Sequence, residues 1–267
     1  MRKNLIHLFI LTSAFILFFG CSNDHFPPSS TYVLVHGAWQ APYVWKTVKS
    51  QLESKGQKVV VVELPAHGDD NTSPANVSID VYRDKVIEAI IATKEKVILV
   101  GHSMGGVVIS AVAEKIPGKI KKLVYLGAFL PANGQSLLDL AGQDAQSLLG
   151  PSLIPSADQL TLDIKPGNIT SIFCQDGSND VKQLVLDNFR VEPAIPFTNK
   201  VSLTESNFGS VDKYYIHTLQ DHAVGIDLQN KMAAAAHISK IYSVNTGHSP
   251  FLTRPTDVTK ILLAIGE

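Results

Sequence analysis

Short apolar runs recur along the chain and alternate with polar, turn-rich segments. We predict strands over 31–36, 58–64, 96–101, 121–127, 213–218 and 238–243. The first three are unbroken runs rich in Val, Ile and Leu, a pattern typical of strands that are buried on both faces of a parallel sheet.

Helical spacing fills most of the intervals between these strands. We predict helices over 42–55, 78–93, 104–115, 227–236 and 256–265. The second is the clearest, because Ser78 is a good N-cap and apolar residues follow it at helical spacing from Val81 to Ile91. Alternating strands and helices predict an α/β fold with a doubly wound, mostly parallel sheet.

The segment 131–208 breaks this rhythm. It has no clear strand alternation, and its stretches 136–149 and 180–190 have a helical pattern. Its prolines are Pro131, Pro151, Pro155, Pro166, Pro193 and Pro196. An insertion of this length is too long for a loop, so we predict a mainly helical cap over the carboxyl edge of the sheet.

Composition excludes several classes of protein. Apolar residues make up 45% of the chain, and 23 Lys and Arg balance 24 Asp and Glu. This balance argues against a nucleic-acid partner. The two cysteines, Cys21 and Cys174, cannot form a zinc-type pattern, and neither a phosphate-binding loop nor a dinucleotide fingerprint is present. We therefore expect neither a metal nor an organic cofactor.

The N-terminus has the pattern of an export signal. Arg2 and Lys3 precede an apolar stretch over 5–19, and Gly20 comes directly before Cys21. This arrangement resembles a bacterial lipoprotein signal. The resemblance implies a signal peptide over 1–20, a lipid on Cys21, a tether over 21–30 and a domain over 31–267. It places the protein at the bacterial cell envelope, facing the periplasm or on the outer membrane, with plain secretion or an uncleaved anchor as alternatives.

Residues 101–105 read Gly-His-Ser-Met-Gly, directly after the third predicted strand and before a predicted helix. A strand, a tight Gly-x-Ser-x-Gly turn and a helix form the context of a nucleophile elbow. Ser103 would lie at the helix N-terminus, where N–H groups favour nearby negative charge. The motif predicts that Ser103 is a nucleophile.

Three segments carry a family resemblance: YVLVHGAW at 32–39, KVILVGHSMGG at 96–106 and GHSPF at 247–251. With the elbow, they resemble the α/β-hydrolase superfamily, and within it the plant methylesterase and hydroxynitrile lyase family with its bacterial esterase relatives. The resemblance covers 31–267 and is weakest in the cap. It implies the α/β-hydrolase fold.

A serine nucleophile needs a histidine base and an acid that orients it, and together the three residues form a triad. We expect the acid and the histidine near the carboxyl ends of the last two strands. In this fold the order along the chain is Ser, acid, His. His248, which follows the last strand, fits that order, and His222 is its nearest rival. By resemblance the acid is Asp221, which follows the penultimate strand, and Asp227 remains an alternative.

Two backbone N–H groups are expected to bind the developing oxyanion. One belongs to Met104, which follows the nucleophile. By resemblance the other belongs to Ala38. Trp39 and His102 are candidates for contact with the substrate.

These residues predict a serine esterase that cleaves small or medium carboxylic esters through an acyl-enzyme. Its expected partners are a small ester and, through Cys21, a membrane. By resemblance, the cyanohydrin lyases of the family have Thr in the loop after the first strand and Lys directly after the catalytic histidine. At these positions this chain has Ala38 and Ser249. A lyase, a C–C bond hydrolase and a non-catalytic binding protein remain as alternatives.

Overall fold

The computed structural model describes residues 29–267. Its strands, numbered along the chain, are β1 (Thr31–Val35), β2 (Lys58–Val62), β3 (Val97–His102), β4 (Ile120–Leu126), β5 (Leu153–Pro155), β6 (Thr161–Ile164), β7 (Glu192–Pro193), β8 (Lys213–Thr218) and β9 (Ile241–Val244). Its α-helices are α1 (Lys46–Ser54), α2 (Ile79–Thr93), α3 (Gly105–Lys115), α4 (Leu137–Ala141), α5 (Ile169–Phe173), α6 (Asn179–Asp187), α7 (Ile195–Thr198), α8 (Ile226–Ala235), α9 (Pro250–Thr253) and α10 (Pro255–Gly266).

Six strands form the central sheet in the order β2-β1-β3-β4-β8-β9, and every neighbouring pair is parallel. All six predicted strands and all five predicted helices are present. Most of their ends lie within one or two residues of the predicted positions, and β9 starts three residues later than predicted. The predicted α/β fold is therefore confirmed.

Alternate residues of each strand pack against helices on opposite faces of the sheet. In β1, Tyr32 and Leu34 lie in one apolar cluster, which also contains residues of α1 and α10. Val33 and Val35 lie in a second cluster, which contains residues of α2 and α3. Burial on both faces explains why β1 is an unbroken apolar run.

The cap lies between β4 and β8. It contains the short helices α4 to α7, a π-helical turn at Glu205–Gly209 and a small antiparallel sheet in the order β5-β6-β7. The helical character agrees with the prediction, although α4 ends at Ala141 and covers only part of 136–149. The small sheet was not predicted. Its strands have three, four and two residues, too few to show a period of two.

The predicted signal peptide over 1–20, the lipid site Cys21 and most of the tether over 21–30 lie outside the described residues. Within 29–267, no helix combines the length and the apolar character that crossing a membrane requires.

Candidate active site

Ser103 lies on the sharp turn between β3 and α3. Its φ of 53° is left-handed, a conformation that most residues avoid. The turn is so tight that a Cβ at Gly101 would lie 2.6 Å from the carbonyl oxygen of Gly105. The two glycines therefore allow the backbone to reverse, and the reversal places Ser103 at the N-terminal end of α3.

Asp221 and His248 form a buried hydrogen-bonded pair, with 2.8 Å between Oδ2 and Nδ1. They follow the neighbouring parallel strands β8 and β9, so both lie at the carboxyl edge of the sheet. Asp221 also accepts hydrogen bonds from the Thr218 hydroxyl at 2.7 Å and from the N–H groups of Ala223 and Val224 at 2.8 Å. These four donors fix the carboxylate in one orientation.

The pairing also fixes the proton positions on His248. Because Asp221 presents a carboxylate oxygen, Nδ1 of His248 donates, and in the neutral ring Nε2 keeps its lone pair. Asp227 is exposed in the first turn of α8, and its N–H donates to Gln146 Oε1. His222 Nδ1 donates to the Ser171 carbonyl. The structure thus brings Asp221, not Asp227, to His248.

His102 supports the loop that carries His248. Its Nε2 donates to the His248 carbonyl oxygen at 2.7 Å, and the two ring centroids are 4.5 Å apart. The ring has no exposed surface, and burial lowers its pKa well below the usual value, so it is neutral. The His102 side chain is thus buried against His248, and its expected contact with substrate stays a prediction.

His102, the residue before Ser103, links the elbow to His248, and within residues 29–267 no hydrogen bond joins the Ser103 hydroxyl to His248. Catalytic hydrogen bonds are often long before substrate binds. Ser103 is 8% exposed and His248 is 1% exposed, so the pair lies under the surface.

The oxyanion loop, residues 36–40, lies against the elbow. A Cβ at Gly37 would be 2.6 Å from Ser103 Cβ. Ala38 and Met104 are both buried, and in the described part of the chain neither N–H group has a hydrogen-bond acceptor. Their role as oxyanion donors stays a prediction.

Trp39 joins the oxyanion loop to the cap. Its backbone N–H donates to Glu192 Oε2 at 2.7 Å, and its indole N–H donates to the Leu162 carbonyl at 3.0 Å. Its ring lies between the cap residues Phe173 and Phe197, at centroid distances of 5.9 and 5.5 Å. The Phe173 ring is in turn 5.8 Å from that of His248. Trp39 is thus part of an aromatic wall that reaches His248.

Two further links hold the oxyanion loop in place. His36 Nε2 accepts the Leu64 N–H at 3.2 Å, and burial lowers the pKa of His36 to about 3. This neutral ring ties the end of β1 to the segment after β2. Gln40 Nε2 donates to the Ser249 hydroxyl at 2.9 Å, which connects the loop to the residue after His248.

Sequence reasoning missed a buried pair beside this loop. His67 Nε2 lies 2.9 Å from Glu192 Oε2, and both side chains are almost fully buried. Burial opposes a charge on His67, but the attraction of Glu192 and the hydrogen bonds to Glu192 and Pro65 together outweigh it and raise the pKa of His67. The two residues are 125 positions apart in the chain, so no local pattern could have joined them.

Metal-binding clusters and cysteine thiols are further reactive groups that a site within residues 29–267 could use. Among residues 29–267, no cluster of three or more His, Cys, Asp or Glu side chains is suited to a metal ion. Cys174 is free and buried, and burial raises the pKa of its thiol to about 11. The thiol is therefore protonated at neutral pH and a poor nucleophile.

The sequence is similar to those of known plant enzymes. Putative methylesterase 11, chloroplastic, of Arabidopsis thaliana is 34% identical over 88% of this chain. The chain spans about 64% of that relative's length. The alpha-hydroxynitrile lyase of the same plant is 29% identical over 88% of this chain and 96% of its own.

Structural comparison gives the same fold. A polyneuridine aldehyde esterase mutant superposes with a TM-score of 0.80 at 23% identity, covering 90% of this chain and 100% of its own. The sequence profile described as "Alpha/beta hydrolase family" matches residues 32–261. The chain belongs to the alpha/beta hydrolase family.

Proposed function

We propose that this protein is a serine hydrolase of small or medium carboxylic esters, with Ser103 as nucleophile, His248 as base and Asp221 as the acid that orients it. The observation that carries the proposal is the buried Asp221–His248 hydrogen bond, on a loop that His102 joins to the elbow. A nucleophile, an orienting acid and a base, in this order along the chain, are typical of the fold.

In the proposed reaction, His248 Nε2 takes the proton of the Ser103 hydroxyl while Oγ attacks the ester carbonyl. The N–H groups of Ala38 and Met104 bind the oxyanion, and Asp221 stabilises the imidazolium. His248 then returns the proton to the alkoxy group, which leaves as the alcohol. A water molecule, deprotonated by His248, releases the acid and restores Ser103.

The comparisons support this choice of substrate class, because the names of two relatives include methylesterase and esterase. The buried nucleophile favours small or medium esters over long chains. The wall formed by Trp39 and Phe173 restricts the space beside His248.

A lyase is the second candidate, because one relative is an alpha-hydroxynitrile lyase. Ala38 and Ser249 stand where the lyase pattern has Thr and Lys. Ser249 is buried and its hydroxyl accepts from Gln40, so this position supplies no cation. Cyanide release from mandelonitrile distinguishes a lyase from an esterase, and we expect none above the uncatalysed rate.

The test is hydrolysis of p-nitrophenyl esters from acetate to laurate by the full chain. We expect kcat/KM to peak at short or medium chains. Ser103→Ala should abolish turnover, and Asp221→Asn should lower kcat by about 10⁴-fold because the imidazole loses its orienting partner.

Asp227→Asn is the matched control, because it removes an exposed carboxylate six residues further along the same loop and helix. It should leave kcat within about twofold of wild type. Normal turnover by Ser103→Ala would disprove the nucleophile. Loss of activity in Asp227→Asn, with activity kept in Asp221→Asn, would identify Asp227 as the acid in place of Asp221.

The proposal extends to attachment through a lipid on Cys21, at the bacterial envelope. This part rests on the sequence pattern at 1–21 alone, and the Arabidopsis methylesterase is named as chloroplastic. Expressed with its signal in a bacterium, the wild type should sediment with membranes and Cys21→Ala should not. A wild type that stays in the soluble periplasmic fraction would refute the anchor.

A further inference from the structure

The buried Glu192–His67 pair lies outside the proposed triad, yet it contacts the oxyanion loop directly. Glu192 comes from β7 of the cap, and its Oε2 accepts the Trp39 N–H at 2.7 Å. Trp39 immediately follows Ala38, the expected oxyanion donor. The contact therefore joins a side chain of the cap to the backbone of the oxyanion loop.

Trp39 needs such a contact because its own conformation is unfavourable. Its φ is 56°, and a left-handed conformation costs a non-glycine residue about 1–2 kcal/mol. Rotation of the Ala38–Trp39 peptide would relieve that strain. Because Ala38 is joined directly to Trp39, a loop that relaxes around Trp39 would also displace Ala38, whose N–H is the expected oxyanion donor.

His67 makes a carboxylate tolerable at this position. Its Nδ1 lies 3.0 Å from the Pro65 carbonyl and its Nε2 lies 2.9 Å from Glu192 Oε2. A carbonyl oxygen can only accept, so Nδ1 donates to Pro65. With Glu192 present as a carboxylate, Nε2 donates as well and the ring is an imidazolium. The pair is then neutral overall and does not repel a developing oxyanion.

We infer that Glu192, neutralised by His67, is a positioning residue that holds the oxyanion loop in its working conformation through the Trp39 N–H. The inference rests on the proposed function, because it assigns the Ala38 N–H to the oxyanion. It also makes the cap part of the catalytic apparatus. The oxyanion loop keeps its working conformation only while Glu192 of β7 accepts the Trp39 N–H.

The test compares Glu192→Ala with Glu192→Gln in the full chain. Alanine removes the acceptor, so we expect kcat to fall about 10- to 100-fold with KM changed less than threefold, because the oxyanion forms only in the transition state. Glutamine keeps an oxygen acceptor for Trp39 and can donate to neutral His67. It should restore kcat to within about fivefold of wild type.

Glu114→Ala is the matched control for disturbance of the cap. Glu114, on α3, accepts hydrogen bonds from Thr204 and Phe208 of the cap, and none of its hydrogen bonds reaches the oxyanion loop. It should leave kcat nearly unchanged. Amide hydrogen exchange over 36–41 supplies a readout that needs no turnover: exchange at Trp39 should accelerate in Glu192→Ala only.

The two readouts separate the inference from the proposed function. Unchanged exchange at Trp39 in Glu192→Ala, or equal loss of kcat in the alanine and glutamine variants, would overturn the positioning role. A wild type without esterase activity would refute the proposed function. In that case accelerated exchange in Glu192→Ala would still establish Glu192 as the anchor of the loop.

Discussion

Ser103 and Trp39 both have left-handed backbones, at φ values of 53° and 56°. Strain of this kind persists only where surrounding contacts determine the conformation. At Ser103 those contacts include the Gly106 and Phe129 N–H groups, which donate to its carbonyl. At Trp39 they are Glu192 and Leu162. Two strained residues, each held by outside groups, flank the expected oxyanion site.

Gly37→Ala should inactivate the protein without unfolding it. The added Cβ would lie 2.6 Å from Ser103 Cβ and 3.0 Å from His102 Nδ1, so the oxyanion loop and the nucleophile must move apart. A displacement near 1 Å costs on the order of 100-fold in rate, and we expect kcat to fall by about that factor. The measurement is kcat on the best p-nitrophenyl ester, with the melting temperature recorded beside it.

Gly118→Ala is the control, because a Cβ there meets no atom within 4 Å. It should keep wild-type kcat. Wild-type turnover in Gly37→Ala would mean that the loop can retreat without cost, and would argue against Ala38 as an oxyanion donor.

Residues fixed by a local motif could be predicted from the sequence. Ser103 lies in a five-residue pattern, and His248 follows the last strand in the order that the fold requires. Resemblance supplied Asp221, and the structure places its carboxylate against His248. His67 and Glu192 could not be found this way, because their pairing depends on how the cap docks.

At the scale of elements, buried parallel strands were the easiest to predict. Each carries enough consecutive apolar residues to stand out, as in β1 and β3. The cap strand β7 has only two residues and pairs with β6 about thirty positions earlier. Its place is set by tertiary contacts, among them the Glu192 hydrogen bonds, so no local pattern encodes it.

Trp39→Phe tests the aromatic wall between loop and cap. Phenylalanine keeps the backbone N–H for Glu192 but removes the indole contact with Leu162 and leaves space beside Phe173 and Phe197. We expect the ratio of kcat/KM for hexanoate over acetate to rise about three- to tenfold, because added space near His248 accommodates extra methylenes. Initial rates across the ester series measure this ratio.

Trp45→Phe is the matched control. Trp45 is fully buried against Phe251, in the apolar cluster that contains residues of α1 and α10 on one face of the sheet, away from the cap. It should lower the melting temperature and leave the chain-length profile unchanged. An unchanged profile in Trp39→Phe would remove Trp39 from the substrate pocket and leave it as a structural link.

For the whole molecule, buried histidines make the free energy of unfolding depend on pH, and they do so in opposite directions. The pKa of His36 is lowered to about 3 and that of His102 lies well below 6.5, in both cases mainly through burial. The pKa of His67 is raised, because the attraction of Glu192 and the hydrogen bonds to Glu192 and Pro65 together outweigh burial. The other groups facing His67 are His36, Tyr82 and Arg190.

These shifts predict a stability maximum near neutral pH. Below about pH 6.5 the unfolded chain binds protons at His36 and His102 that the folded chain does not, so the free energy of unfolding should fall by up to about 1.4 kcal/mol per pH unit for each ring. His67 affects stability on the alkaline side of the maximum. Its contribution is complete below pH 6.5 and is lost as the pH rises through its raised pKa. Urea unfolding between pH 5 and 9 measures both limbs.

His36→Gln tests whether His36 causes the acid limb, the fall in the free energy of unfolding below about pH 6.5. Glutamine can still accept the Leu64 N–H but does not titrate, so the acid slope should decrease by up to about 1.4 kcal/mol per pH unit while the alkaline limb stays as in wild type. His67→Gln should do the reverse and flatten the alkaline limb. If neither variant changes its limb, the pH dependence arises from net charge, and the buried rings are not its source.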